Sequence, residues 1–476
     1  MALDEKLLMT EFPIEKLKDS FASGIQKATS LDRGVLVSVI APSLQPINPT
    51  NLFSLDENRT ELKIFWSQPA NNFWIGGIGT AYQVSDNQTN NISNIRENYQ
   101  SIIKEALLME SDIPGTGPLM FGGIKFDPEA IPDKLWDEFP NTFFCIPNIL
   151  ITTHLGKNWI TVNTVLQPQS DSVNLLTKTI NLIKDLWSPP SSPKFDKFEQ
   201  VEPETKPNIT KNEWARRVNF ALASIEEDSL EKVVLARTKV FNLNQGFTIQ
   251  NVLNELCSLN VESTIFGISM GNSTFFGATP ETLLKINNGS LTSTCLAGSI
   301  KRGETDSLDE SLSKQLLNSS KDQFEHRAVV RELSKVFKES CEHISWDETP
   351  SILKLPNVQH LATTFSGVMK RGVGILQLMD RLHPTPAVGG VPKKMALEFI
   401  RQSEGDRGWY ASPVGWFDAN DNGEFVIAIR SGLIQNSQAT LFAGCGIVKG
   451  SRAESEWAET ELKFKPLLSA LTGVTT

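Results

Sequence analysis

The sequence predicts an α+β protein built on a largely antiparallel sheet, and three observations lead there. The turn pairs Gly271-Asn272, Asn288-Gly289 and Asn422-Gly423 each separate apolar or alternating runs, the local signature of a β-hairpin. The strand-like runs cluster, whereas the long amphipathic runs stand apart from them. That segregation favours α+β over a doubly wound parallel sheet.

The elements follow in order. Before residue 187, "LKIFWSQP", "FWIGGIGTAYQV", "GPLMFGGIKF", "ILITTHL" and "NWITVNTVL" have the β-branched and aromatic content of strands. "NISNIRENYQSIIKEALLME" and "SVNLLTKTINLIKDLW" place apolar residues three and four apart, so helices are expected. The segment 188–207, "SPPSSPKFDKFEQVEPETKP", is rich in proline, serine and charge and reads as a surface linker. It separates an N-terminal part, 1–187, from a C-terminal part, 208–476. After it, "NITKNEWARRVNFALASIEE" is a helix with Thr210 or Asn212 as its cap. Strand patterns then run through "KVVLARTKV", the 263–300 stretch and "GEFVIAIRSGLIQNSQATLFAGCGIV".

Composition narrows the function classes. The 476 residues are 40% hydrophobic and 21% charged, within ordinary globular usage, and the formal net charge is −10 with no basic block. Nucleic acid and anionic membranes are therefore poor partners, while a small anion could still enter a local basic pocket. The N-terminus lacks a secretory pattern, no apolar run is long enough to span a bilayer, and the five cysteines form no CxxC pair. A cytoplasmic location is expected.

Several residues invite chemistry. Lys232 stands at the mouth of the apolar run Val233–Ala236. It reads either as a solvated strand end or as a lysine held in a dry pocket to act as a base. Near the C-terminus, a strand runs through Gly444-Cys445-Gly446 toward a helix carrying Glu456, Glu459 and Lys463, spaced to share a face. Glu325 and His326 precede an apolar helical stripe of Val329, Leu333, Val336 and Phe337. Carboxylates without a cysteine or histidine pattern suit a hard ion such as Mg²⁺, not zinc. Glu281 follows a proline at a strand end, and Gly298-Ser299 close another. Arg430 falls in an apolar strand, where a bidentate carboxylate is its natural partner. Each of these also has an ordinary structural reading, and spacing alone does not bring them together.

Taken in order, "KVVLAR", "FGATPETLL", "LAGSIKRG", "KDQFEH", "VQHLATTFSG", "LHPTPAVGG", "YASPVGW", "IAIRSGLI" and "AGCGIV…ESEWAETELK" resemble the chorismate-using enzymes across about residues 208–470. The N-terminal part is similar to the isochorismate synthases of menaquinone-type pathways. The resemblance implies two large antiparallel sheets packed as a sandwich and wrapped by helices, Mg²⁺ as cofactor and chorismate as substrate. It makes Lys232 the base that activates water and Glu281 the acid that protonates the departing C4 hydroxyl as water adds at C2. Glu325 and Glu459 become metal ligands, with Glu456 nearby. Gly298, Ser299, His360, Thr363, Ala387, Arg430, Gly444, Gly446 and Lys463 become the substrate-binding set.

Within the family, Lys232 argues against anthranilate synthase, which carries glutamine there, and Ala297 argues against aminodeoxychorismate synthases with a nucleophilic lysine. Ala387 in "HPTPA" resembles isochorismate synthases, whereas salicylate synthases carry threonine. The implied activity is isochorismate synthase in a quinone pathway, by a monomer. Salicylate synthase or a silent chorismate-binding homologue are the alternatives. Cys445 and Ser412 depart from the usual alanine and glycine but replace no reacting group; Cys445 reads as a buried small residue, and His326 and His383 as structural.

Overall fold

The computed structural model describes residues 12–43, 47–55, 62–87, 92–109, 111–187, 205–242 and 248–472. Two sheets dominate it, one of 13 strands and one of 10. In the larger, Lys232–Asn242 pairs with Gln438–Ile447, then come Ser431–Gln435, Ser273–Thr279 and Thr264–Met270. The sheet continues without a break into the N-terminal part, where Thr264–Met270 pairs with Leu62–Gln68. In the smaller, Val358–Met369, Ser290–Lys301, Thr282–Asn287, Gly423–Ile427 and Pro413–Phe417 lead to Met120–Ile124. Both halves of the chain thus supply strands to both sheets. Burial of apolar side chains explains why: neither half alone offers a closed pair of faces.

The sheets face one another across an aromatic core. Trp66 of the larger sheet meets Phe121 of the smaller edge-on at 5.8 Å, and Phe73 meets Trp416 at 6.1 Å. Such offset contacts add to the area that large rings already bury. Helices cover the outer surfaces. Ala453–Thr472 lays Phe464, Leu467, Ala470 and Leu471 onto the larger sheet beside Val252, Leu253 and Leu256 of Ile249–Leu259.

The expected antiparallel sandwich is found, with one exception. Val35–Ser43 pairs with the two-residue strand Leu107–Leu108 in parallel. All three expected hairpins are present. The helices Ile92–Lys104 and Ser172–Trp187 are also found, and Thr210 caps Lys211–Glu226 by accepting from the Glu213 amide. Most of the proposed linker, 188–204, lies outside the described residues. Its last three, Thr205–Pro207, are not linker but an edge strand on Lys239–Phe241.

Candidate active site

Register explains how Lys232 is aimed. Side chains alternate along a strand, so Lys232, Val234 and Ala236 share one face and Arg237 takes the other. On the neighbouring strand Gly446 stands opposite Val234 and Gly444 opposite Ala236. The two glycines make the space. A Cβ at Gly446 would lie 2.2 Å from Oε1 of Glu325 and 2.9 Å from Cε of Lys232, and one at Gly444 would lie 2.9 Å from the Tyr410 hydroxyl. Arg237, by contrast, is structural. It stacks 3.7 Å over Trp457 and donates to Thr460 and Glu461.

Helical period places the carboxylates. Glu325, Val329, Leu333 and Phe337 recur every four residues along Ser320–Ser340, so the acid rides on the buried stripe. That helix starts at Ser320, and Ser319 caps it by accepting from the Asp322 amide. Glu456, Thr460 and Phe464 recur the same way along Ala453–Thr472.

These elements enclose a small cavity of about 60 Å³. Of the residues expected to form one site, Glu281, Gly298, Ser299, Glu325, His360, Ala387, Arg430, Gly444, Gly446, Glu459 and Lys463 line it. Three do not. Lys232 is fully buried beside Gly446, Glu456 is buried and paired with Lys321, and Thr363 bonds His326 with its hydroxyl at 2.8 Å. Thr363 is therefore a supporting residue and not part of the cavity wall.

Each carboxylate of the expected metal set has its own lysine. Lys232 Nζ lies 3.0 Å from Glu325, Lys321 Nζ 2.6 Å from Glu456 and Lys463 Nζ 2.7 Å from Glu459. The first pair is close but misaligned, so the fully buried Lys232 Nζ makes no proper hydrogen bond to protein. Buried donors of that kind call for a bound water or ligand. Burial and the Glu459 charge push Glu456 up. Burial opposes the charge of Glu459 too, but Lys463, Lys321 and a hydrogen bond from Ser299 hold it below the usual carboxylate range. Oxygen-only donors suit a hard dication. As arranged, though, no three carboxylate, imidazole or thiol groups among the described residues close around a metal position. The set fits such an ion in chemistry, with lysines now balancing the charge.

Glu281 differs from all of these. It follows Pro280 where Ser273–Thr279 ends, its side chain is buried, and no cation among the described residues pairs with it directly. Burial pushes its pKa up to about 8, against the pull of Lys232, Lys463 and Arg430. At neutral pH it is a carboxylic acid.

Arg430 departs from expectation twice. It lies in the break between Gly423–Ile427 and Ser431–Gln435, with φ at +48°, not inside a strand. Its partner is the neutral imidazole of His360, at 2.9 Å, not a carboxylate. Burial lowers its pKa to about 10, which still leaves it a cation turned on the cavity. Gly298 and Ser299 likewise occupy a bulge inside Ser290–Lys301 and not its end.

Two residues escaped the sequence reading. Tyr410, in the quoted "YASPVGW", lines the cavity and stacks on Phe442 at 5.1 Å. Lys321, in the quoted "KDQFEH", pairs with Glu456 across two helices. Both sat inside matching strings, but a surface lysine and a core tyrosine look the same in sequence.

Residues 23–472 match the family described as chorismate binding enzyme. The chain is similar to isochorismate synthase MenF of Bacillus subtilis, 35% identical over 461 residues, which cover 94% of this chain and 96% of that protein. It is also similar to a salicylate biosynthesis isochorismate synthase of Pseudomonas aeruginosa, 32% identical, with 97% and 95% covered. Among solved structures, the menaquinone-specific isochorismate synthase MenF of Escherichia coli superposes with a TM-score of 0.76 at 20% identity, covering 95% of this chain and all of that one. Anthranilate synthase component I of Streptococcus pneumoniae superposes with a TM-score of 0.69 at 21% identity, covering 83% and 92%. At those identities the structural likeness is one of fold.

Proposed function

Because this chain belongs to the family of chorismate binding enzymes, we propose that it is an isochorismate synthase, interconverting chorismate and isochorismate. The observation that carries the reading is an acid and a base supplied to one cavity. Glu281 lines it as a buried carboxylic acid, and Lys232, buried beside Gly446, lies 3.0 Å from the lining residue Glu325.

The reaction balances on those two groups. Water adds at C2 and loses a proton to Lys232. The ring double bond shifts, and the C4 hydroxyl leaves as water with the proton of Glu281. Water is a weak nucleophile and hydroxide a poor leaving group, so each proton transfer removes part of the barrier. Arg430 and the Gly444–Gly446 backbone would hold a substrate carboxylate, with Lys463 beside it. Glu325 and Glu459 would hold Mg²⁺, with Glu456 behind them. When bound, the ion neutralises and orients the ring carboxylate.

Ala387 and Ala297 line the same cavity as small apolar groups. Neither supplies a nucleophile or a further proton donor, which supports stopping at the isomer. The 35% identity to a MenF over nearly the whole chain favours a quinone pathway as the consumer. Among the described residues no helix is long and apolar enough to cross a membrane.

A product assay with chorismate tests the proposal. The expected result is a reversible mixture of chorismate and isochorismate, abolished by chelation and restored by Mg²⁺. Salicylate with pyruvate, or binding without turnover, would overturn it.

A further inference from the structure

We infer that His360 is a positioning residue: a neutral imidazole locked with its proton on Nδ1, tying Arg430 to Glu459 through the Ser299 hydroxyl. The argument rests on which partners can donate. A guanidinium has donors only, so the 2.9 Å contact from Arg430 Nη2 requires a lone pair on Nε2. The proton must then be on Nδ1. That nitrogen faces the Gly298 carbonyl at 3.4 Å and Ser299 Oγ at 3.0 Å, and a carbonyl can only accept. Ser299 accepts from the ring, which leaves its own proton for the Glu459 carboxylate in the wall of the same cavity. The chain so drawn points one way, from Arg430 through His360 and Ser299 to Glu459.

The backbone explains how the ring is caught. The ladder between Ser290–Lys301 and Val358–Met369 slips at Ala297 and Ser299, and Gly298 sits in the bulge with φ at +79°. Two successive carbonyls at this bulge meet two imidazoles. His326 Nδ1 lies 3.2 Å from the Ala297 oxygen, and its Nε2 takes the Thr363 hydroxyl proton at 2.8 Å. The two rings pin both sides of the bulge that carries Ser299. Burial, with Arg430 and Lys463 close by, keeps His360 far below the usual histidine range, so no ordinary pH charges it. A ring with its one lone pair covered by Arg430 is not available as a base. Its effect is mechanical: it joins the arginine expected to hold substrate to the carboxylate expected to hold metal.

Two measurements on the full chain test this. The first is a long-range proton–nitrogen correlation spectrum of nitrogen-15-labelled protein, with His360 assigned by loss of its signals in His360→Gln. The expected pattern is a protonated Nδ1 and an unprotonated Nε2; a protonated Nε2 overturns the proposal. The second is Mn²⁺ binding, followed by electron paramagnetic resonance, in Ser299→Ala. The substitution should weaken Mn²⁺ about tenfold, the usual effect of removing a partner behind a metal ligand, and leave the His360 tautomer unchanged. Unaltered Mn²⁺ affinity overturns the link to Glu459. The second test rests on the proposed metal site. If Mn²⁺ fails to bind the unaltered protein, that site and the link to it fail together, while the spectrum separately decides the tautomer.

Discussion

Glu281 and Asp309 are both carboxyl side chains shut away from bulk water, one after the end of a strand and one in the first turn of a helix. Asp309 is saturated. Arg302 grips it with two bonds at 2.7 and 3.0 Å, Lys354 stands at 2.9 Å, and the Gly303 amide and the Gln359 side chain complete the set. Those bonds, Arg302 first, hold its carboxyl well below the usual range. Glu281 has burial without a direct cation and moves the opposite way, to about 8. The difference separates structural from reactive charge. A group whose valences are filled adds rigidity, whereas a group left unfilled in a dry site keeps a proton to give away.

The comparison can be broken at either end. The largest effect is expected at Glu281→Gln. The amide keeps the shape of the neutral acid but cannot release a proton, so turnover should fall by about 10²–10⁴-fold. The melting temperature should hardly change, because no ion pair is lost. A chorismate turnover assay beside a thermal melt checks both. A drop in stability large enough to explain the lost activity would place Glu281 with Asp309 as a structural group.

The next effect is one of pH. An acid that must be protonated is lost as pH rises through its own pKa. Hence kcat/KM should fall about tenfold per unit above pH 8, with the bend removed in Glu281→Gln. A flat profile to higher pH would mean another group delivers the proton.

The smallest effect should come from Asp309→Asn. A depressed pKa contributes stability above the ordinary aspartate value near about 4 and loses it as pH falls below. At neutral pH the substitution should lower the melting temperature by a few degrees, and the gap should close in acid. Turnover per folded molecule should stay the same. A change in KM would show that this network reaches the cavity.

How much was legible beforehand differs by residue. Glu325 was readable because it heads an apolar helical stripe, and Glu456 because its spacing puts it on one face with Glu459 and Lys463. The hairpin strands were readable from their turn pairs, and Glu281 from the proline beside it. Lys232 was visible only as an anomaly, a cation where the chain turns inward. Arg430 was read as a charge needing a carboxylate, because pattern alone cannot show a histidine 70 positions away folding against it. Thr363 was assigned to substrate because its string matched. Its place behind the wall depends on how His326 packs, and no local rule states that.

The amino-acid sequence by itself determined the α+β class, the antiparallel hairpins, the helix faces and the residue types available for chemistry. Those follow from short-range rules of turn geometry and side-chain period, which act over a few residues. Only the tertiary structure decided which charges meet. It matched a lysine to each carboxylate, left Glu281 without a direct cation, and used the Gly298 bulge to set two imidazoles against adjacent carbonyls. Those outcomes depend on distance and burial between segments far apart in the chain, because a charge acquires its pKa and its role from what surrounds it in space.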